Sequence, residues 1–316
     1  MTTINIKIDG KEIKTEKDRF ILEIARENGI EIPAICYEPS LKVFGGCRLC
    51  IVEITRNGRT KVETSCSARA ADGMEIKTQS ENLRKKRRAI LQLLLDSHPN
   101  DCLTCQKAGE CLLQKYAYEY DVKFRDHDGV KREEKYDLSS PYILKDNSKC
   151  ILCGRCVEVC GQIPERSILS FADRGYDAYI GCDLGNDFAH SYCISCNRCV
   201  SMCPVGALVD KRELGKIRAY EGEKKTVQCK VCEFGCNFTV HSKDGKNIAV
   251  TANKPTAGRP LCLKGRMMTE LMFLKEPETP YMKMAGEFKE TDWMTVTGFK
   301  NMVKKMETLD AKNKGE

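Results

Sequence analysis

The chain has 316 residues, with 52 lysines and arginines against 45 aspartates and glutamates, and 20 cysteines. Its formal charge of +7 would admit a nucleic-acid partner, and its cysteine count would admit a disulfide-stapled secreted protein. The order of the residues argues against both. No apolar run is long enough to cross a bilayer, and Met1-Thr2-Thr3-Ile4-Asn5 lacks the basic-then-apolar pattern of a secretory signal. A soluble cytoplasmic protein is expected, its thiols reduced and acting as metal ligands.

Residues 1–78 alternate as a small β domain would. Ile4, Ile6 and Ile8 share one face, Asp9-Gly10 supplies a hairpin turn, and Ile13 begins the return strand. A helix is expected from about Asp18 to Asn28, with Phe20, Ile21, Ile24 and Ala25 on one side and Gly29 as its stop. Ile51–Thr55 and Met74–Thr78 are strand candidates. The cysteines here are Cys36, Cys47, Cys50 and Cys66. Two of them sit on Gly45-Gly46-Cys47-Arg48-Leu49-Cys50, where glycines let backbone N–H groups approach bound sulfide. Together with Pro33 and the long gap before Cys47, this matches a ferredoxin-like β-grasp fold with a [2Fe–2S] centre. A four-cysteine zinc site is the alternative on spacing.

Residues 79–140 read as more helical, with a strongly charged stretch over Arg125–Lys135. Arg84-Lys85-Lys86-Arg87-Arg88 precedes Ala89-Ile90-Leu91-Gln92-Leu93-Leu94-Leu95. The pair predicts a helix with a solvated start and a buried second half. No aromatic residue interleaves the charges, so the tract does not read as a nucleic-acid surface. The second ligand set is His98, Cys102, Cys105 and Cys111, in which three close cysteines lack a fourth thiolate and His98 stands in its place. A neutral imidazole in place of a thiolate removes one negative charge and should raise the potential of a [4Fe–4S] cluster. Zinc held by three cysteines and a histidine is the alternative.

Residues 141–217 carry an internal duplication. Cys150, Cys153, Cys156 and Cys160 form one C-x2-C-x2-C-x3-C run, and Cys193, Cys196, Cys199 and Cys203 form the other. This doubled run marks a two-cluster ferredoxin, in which the fourth cysteine of each run serves the other cluster. Cys150, Cys153, Cys156 and Cys203 are therefore assigned to one [4Fe–4S] cluster, and Cys193, Cys196, Cys199 and Cys160 to the other. Gly161 stands where Pro204 stands in the second run, which alters a turn and removes no ligand.

Residues 218–286 hold a fifth set, Cys229, Cys232, Cys236 and Cys262, whose spacing suits [4Fe–4S] or zinc. Residues 287–316 are a polar tail with a short amphipathic stretch from Phe299 to Met306. Cys182 is left over and is read as a buried or free thiol. Units of this size have marginal apolar cores, and clusters can staple them because ligand binding is coupled to folding. Five clusters would also add about −9 to the formal charge and bring the loaded chain to about −2. The basic composition is therefore no argument for nucleic acid.

The order of these motifs resembles the N-terminal half of the large iron–sulfur subunit of respiratory complex I. It is similar, too, to the electron-input domains of [FeFe]-hydrogenases and NAD-linked formate dehydrogenases. The residues that carry the resemblance are His98-Pro99-x-Asp101-Cys102, Ala108-Gly109-Glu110-Cys111, Cys150-Ile151-Leu152-Cys153-Gly154-Arg155-Cys156-Val157, Arg174-Gly175 and Cys203-Pro204-Val205-Gly206-Ala207-Leu208. It covers residues 1 to about 280. Both intact ferredoxin-type sets point to the hydrogenase and formate dehydrogenase branch.

The fold implied is α+β and multi-domain. It comprises a β-grasp [2Fe–2S] domain, a helical histidine-ligated [4Fe–4S] domain, a two-[4Fe–4S] ferredoxin domain, and a small [4Fe–4S] domain like the start of molybdopterin oxidoreductases. The cofactors implied are one [2Fe–2S] and four [4Fe–4S] clusters. Leu261-Cys262-Leu263-Lys264-Gly265-Arg266 is similar to the formate dehydrogenase version, in which the lysine matching Lys264 lies between cluster and pterin. Only a short stretch follows Cys262, too little for a pterin-binding region, so Lys264 is read as a remnant of that relay.

The function implied is a non-catalytic subunit that passes single electrons between an NAD(P)-binding flavin subunit and a separate catalytic subunit. That partner would be a hydrogenase first and a formate dehydrogenase second, with a small [2Fe–2S] subunit alongside. Clusters at several potentials would suit electron bifurcation with ferredoxin. The alternative is the N-terminal electron-transfer part of a split molybdenum or tungsten formate dehydrogenase.

Overall fold

The computed structural model describes residues 2–302 except 100, 123–135, 164–166, 230–231, 257, 268–280, 285–286, 293, 297 and 299–300. The charged stretch over 125–135 and most of the expected amphipathic segment over 299–306 lie outside the described residues. The chain divides into two compact units, Met1–Thr269 and Glu270–Glu316.

The first unit opens with a hairpin, β1 (Thr3–Ile8) and β2 (Lys11–Glu16). Asp9 and Gly10 turn it with φ of +46° and +85°. A two-residue hairpin loop needs positive φ at both central positions to match the strand twist, which is why the Asp-Gly pair was legible there. Helix α1 (Ile21–Glu27) follows, and Gly29 ends it at φ +76°. Strands β3 (Ile51–Arg56), β4 (Arg59–Thr64) and β5 (Glu75–Lys77) complete a sheet of order β2-β1-β5-β3-β4. Its one parallel pairing is β1 with β5. Ile4, Ile6, Ile8 and Ile13 meet Ile21, Leu22, Ile24 and Ala25 in one core. Strand β4 was not expected. Its residues are exposed from Arg59 to Glu63, so it shows no alternation of apolar residues.

Helix α2 (Glu81–Asp96) departs from the expected solvated start and buried second half. Leu83 and Arg87 are fully buried near its start, whereas Leu93 is 71% exposed near its end. The run of leucines was misleading because a helix buries a stripe rather than a segment. Leu83, Arg87 and Leu91 lie four residues apart on that stripe. Arg87 is tolerated there because its guanidinium donates to Ile51 O (2.7 Å), Thr78 O (2.9 Å) and the Tyr120 hydroxyl (3.0 Å). Helix α3 (Leu112–Glu119) closes this stretch.

Next come β6 (Tyr136–Asp137), β7 (Ile143–Asp146), α4 (Arg155–Gly161), β8 (Leu169–Ala172), β9 (Tyr179–Cys182), α5 (Arg198–Met202) and β10 (Leu208–Asp210). They form a β10-β7-β6 sheet, a β8-β9 pair, and two short helices packed on each other. Strands β11 (Glu223–Gln228), β12 (Asn237–Lys243) and β13 (Lys246–Ala252) make a meander, followed by α6 (Leu263–Arg266). A large core joins Ile35, Cys36 and Cys47 of the first stretch to Leu91, Leu113 and Tyr120. It continues to Cys153, Cys156, Cys199 and Cys203. These thiols thus stand in a shared interior, while Cys50 and Cys66 belong to the core of the first sheet. In the second unit, β14 (Tyr281–Met284) pairs antiparallel with β15 (Glu287–Glu290).

Candidate metal centres

Cys36, Cys47, Cys50 and Cys66 are all buried. The Cys50 carbonyl accepts from the backbone N–H (2.9 Å) and hydroxyl (2.8 Å) of Ser65, which fixes Cys66 beside it. A hydrogen bond from the Cys36 thiol holds Cys47 down to about 6, assisted by the Leu49 N–H of the glycine-led loop. A hydrogen bond from Cys66 likewise holds Cys50 down to about 7. The donors Cys36 and Cys66 are pushed up by those same bonds. Gly46 is required by space, since a Cβ there would run into the Phe44 ring. Phe44 stacks on Phe171 at 5.3 Å and lies against Gly154, so it bridges the loop of Cys47 and the loop of Cys153.

His98 is 7% exposed at the end of α2. Its Nδ1 bonds the Pro99 carbonyl at 2.9 Å, while Nε2 is buried and without a partner. Nδ1 is thereby the protonated nitrogen and Nε2 holds a free lone pair, the state of a ligating imidazole. Burial keeps the ring below its usual value and so neutral. Cys111 caps α3, with its sulfur accepting from Gln114 N. Burial pushes its thiol to about 11, and Cys105 and Cys203 add to the rise by like charge. Burial raises Cys102 too, with Cys105 again contributing. Asp101 pairs with Lys149 at 2.6 Å, clamping this loop beside Cys150.

Cys150, Cys153, Cys156 and Cys203 line one cavity. These are the residues that crossing of the fourth cysteine requires. Burial pushes Cys153 up to about 12 and Cys156 well up, with the neighbouring cysteines adding to both. At the duplicate, burial raises Cys193, Cys196 and Cys199, and each of the three also feels Cys160. The two loops share a backbone design. Leu152 and Gly154 have φ of +54° and +76°, and Ser195 and Asn197 at the same repeat positions have +48° and +58°. Leu152 N donates to Cys150 Sγ (3.4 Å), and Ser195 N donates to Cys193 Sγ (3.3 Å). Holding non-glycine residues at positive φ costs energy, which is justified where the turn must aim N–H groups at sulfur.

The fifth set is more open. Cys229 N bonds Cys236 O at 2.8 Å, while Cys232 is exposed and Cys262 stands exposed at the N-cap of α6. Lys264 is exposed on the same turn. Cys182, the leftover thiol, is fully buried and accepts from Lys145 Nζ at 3.7 Å.

Several positioning residues were missed on sequence. Arg155 is 7% exposed and donates to Tyr37 O at 2.7 Å, next to Cys36. Arg198 donates to Gly258 O, and Arg212 donates to Asp210, Arg266 O (2.6 Å) and Val250 O (2.9 Å). For Arg155 and Arg198 a cation next to a cysteine of the duplicated runs was the available signal, because thiolates buried together need counter-charge, whereas Arg212 carried none.

Among the described residues no three His, Cys, Asp or Glu side chains converge as around a single ion. The third set instead surrounds a cavity, and His98 presents a bare Nε2. The cavity suits a cluster, whose irons and sulfides hold four protein ligands apart, and the bare Nε2 suits a metal ligand.

Comparison with known proteins agrees. Residues 1–81 match a 2Fe-2S iron-sulfur cluster binding domain, and residues 87–125 match the NADH-ubiquinone oxidoreductase-G iron-sulfur binding region. Residues 140–209 match the ferredoxin-like domain of NADH-quinone oxidoreductase subunit 3, and residues 223–273 match the molybdopterin oxidoreductase Fe4S4 domain. The alpha subunit of an NADPH-Fe(3+) oxidoreductase from Geobacter sulfurreducens is 32% identical over 93% of this chain and 34% of its own length. Subunit HndD of an NADP-reducing hydrogenase from Solidesulfovibrio fructosivorans is 34% identical over 69% of this chain and 38% of its own. The chain spans about a third of the length of the curated relatives it matches. A crystal structure of an NAD+-reducing [NiFe]-hydrogenase in the H2-reduced state superposes with a TM-score of 0.62 at 30% identity, covering 67% of this chain and 89% of that one. The cysteine and histidine sets, the matched domains and these relatives agree: the chain belongs to the family of iron–sulfur electron-input subunits of the NADH-quinone oxidoreductase G/3 type and of NAD(P)-linked hydrogenases.

Proposed function

We propose that this chain relays single electrons within a larger oxidoreductase. The reading assigns a [2Fe–2S] cluster to Cys36, Cys47, Cys50 and Cys66, in a β-grasp domain over 1–78. It assigns [4Fe–4S] clusters to His98, Cys102, Cys105 and Cys111 within 79–140, to Cys150, Cys153, Cys156 and Cys203, and to Cys193, Cys196, Cys199 and Cys160 within 141–217. The last is held by Cys229, Cys232, Cys236 and Cys262 within 218–286. Bound iron–sulfur clusters supply one-electron oxidation and reduction at potentials set by charge and hydrogen bonding.

The observation that carries the proposal is that backbone next to one ligand set bonds backbone next to another. Leu112 N, beside Cys111, donates to Pro204 O, beside Cys203, at 2.9 Å. Leu261 N, beside Cys262, donates to the carbonyl of Cys196 at 3.2 Å. The Tyr116 hydroxyl of α3 accepts from Ala34 N at 3.3 Å, two residues from Cys36. A zinc-stapled scaffold has no need for its sites to be joined in sequence, whereas a relay does.

The proposed partners are a flavin subunit that exchanges hydride with NAD(P)H, a small [2Fe–2S] subunit and a hydrogenase as catalytic partner; the NADP-reducing hydrogenase subunit and the NAD+-reducing [NiFe]-hydrogenase among the similar proteins support the last. Ferredoxin as a further partner would make the complex bifurcating. The cytoplasm is the proposed location, and among the described residues no helix is long and apolar enough to cross a membrane. A second reading, part of a molybdenum or tungsten formate dehydrogenase, is favoured by the molybdopterin-type match over 223–273, which contains Lys264. Anaerobic purification of the native complex tests both, through its co-purifying subunits and metals. The relay predicts about eighteen iron atoms per chain, from one [2Fe–2S] and four [4Fe–4S] clusters. Half that value in fully loaded protein would refute the five-cluster assignment.

A further inference from the structure

Lys145 is a buried cation with no acidic partner of its own. It is 6% exposed in β7 and lines the cavity of Cys150, Cys153, Cys156 and Cys203. Its Nζ donates to Ile180 O at 3.1 Å and to Cys182 Sγ at 3.7 Å, and it lies 5.6 Å from the centre of the Phe188 ring. These neighbours are neutral. Asp137 is paired with Lys145 across β6 and β7 and its negative charge reaches Cys182, but it makes no ion pair with Lys145, its carboxylate accepting instead from Ser139 N (3.0 Å), Ser139 Oγ (2.6 Å) and Phe188 N (3.0 Å). Asp146, the next residue, serves Ser148 N at 3.0 Å and faces Lys149 at 3.5 Å. Burying an ammonium without a counter-charge costs several kcal/mol. Such a lysine persists where something negative completes it, and the cavity it lines is framed by four thiols.

We propose that Lys145 is the fixed counter-charge of the [4Fe–4S] cluster at Cys150, Cys153, Cys156 and Cys203, and that it raises that cluster's reduction potential. Cys182 is the positioning residue, its sulfur and the Ile180 carbonyl holding the ammonium in place. This inference rests on the cluster assignment proposed above. Reduction adds one electron and no proton to the cluster, so a positive charge nearby stabilises the reduced form more than the oxidised one. The role also accounts for the one cysteine outside every ligand set.

The test is an EPR-monitored redox titration of the anaerobically loaded chain. Lys145→Met should lower one [4Fe–4S] midpoint by at least tenfold in its reduction constant, 59 mV for one electron, and leave the others in place. Lys145→Arg, which keeps the charge, should hold that midpoint within threefold. Lys145→Gln retains a donor toward Ile180 and carries the same test where the methionine variant does not fold. Cys182→Val should move the same midpoint in the same direction by less. Full iron content with an unshifted midpoint in the uncharged variants overturns the role of Lys145 alone. A wild-type titration without four [4Fe–4S] signals overturns the cluster assignment, and the lysine proposal with it.

Discussion

Replacing Arg87 with methionine tests whether a buried guanidinium holds the first cysteine set to the helices. Arg87 is fully buried and its three bonds reach β3 at Ile51, the end of β5 at Thr78, and Tyr120 after α3. Methionine fills the volume and strands the carbonyls of Ile51 and Thr78 inside the protein. Each unpartnered buried acceptor costs about 1–3 kcal/mol. Set against this, the substitution removes a buried charge whose Nε has no partner, which returns about 1–2 kcal/mol. At mid-range the carbonyls win, about 4 kcal/mol against about 1.5, and the net loss is about 2–3 kcal/mol. For a body of this size that lowers the thermal midpoint by roughly 5–10 °C. Because Ile51 follows Cys50, the [2Fe–2S] absorbance should bleach at lower urea than the remaining iron–sulfur absorbance. Arg87→Lys should fall between the two, since an ammonium cannot serve three acceptors in a fork. A thermal midpoint within 2 °C of wild type for Arg87→Met, with bleaching unmoved, would refute the reasoning.

Three further outcomes are expected. Gly206→Ala would place a Cβ 2.7 Å from Cys105 Sγ, so it should cost the histidine-ligated cluster and about four irons in a metal assay. His98→Cys adds a thiolate and should lower the potential of one cluster, read by EPR titration; an unchanged titration would remove His98 as a ligand. Burial lowers the pKa of His98 in the folded chain, so the unfolded chain takes up its proton first. The corresponding stability is present above the unfolded value of about 6.5 and is lost as pH falls through it and below. Iron retention by this site should therefore hold from pH 8 to 7 and fail in acid, and in the His98→Cys variant that step should move.

Much of the site was legible because cysteine spacing is a covalent constraint. Cys150, Cys153 and Cys156 must lie on one tight loop whatever the rest of the chain does, and the duplicated run named Cys203 as their fourth. The Asp9-Gly10 turn and α1 were legible for a similar reason, being local. What was not legible depended on contacts distant in sequence. Arg87 looked like part of a solvated basic tract until Ile51 and Thr78 closed over it. Phe44 looked incidental until Gly154 arrived beneath its ring. Lys145 and Cys182 carry no motif, and only the fold brings Cys182 to Lys145 and Lys145 to the cavity.

The proposed crossing of Cys160 and Cys203 has a consequence for biogenesis. In that assignment each run supplies three ligands to its own site and one to the other, so the loops are interlocked like two links closed by each other's clasp. Loading one site pins a cysteine of the second loop and pre-forms its neighbour, whereas an empty first site leaves the second loop unpinned. Under limiting iron, this pair should fill or fail together, giving two populations of chains rather than a continuum of half-loaded ones.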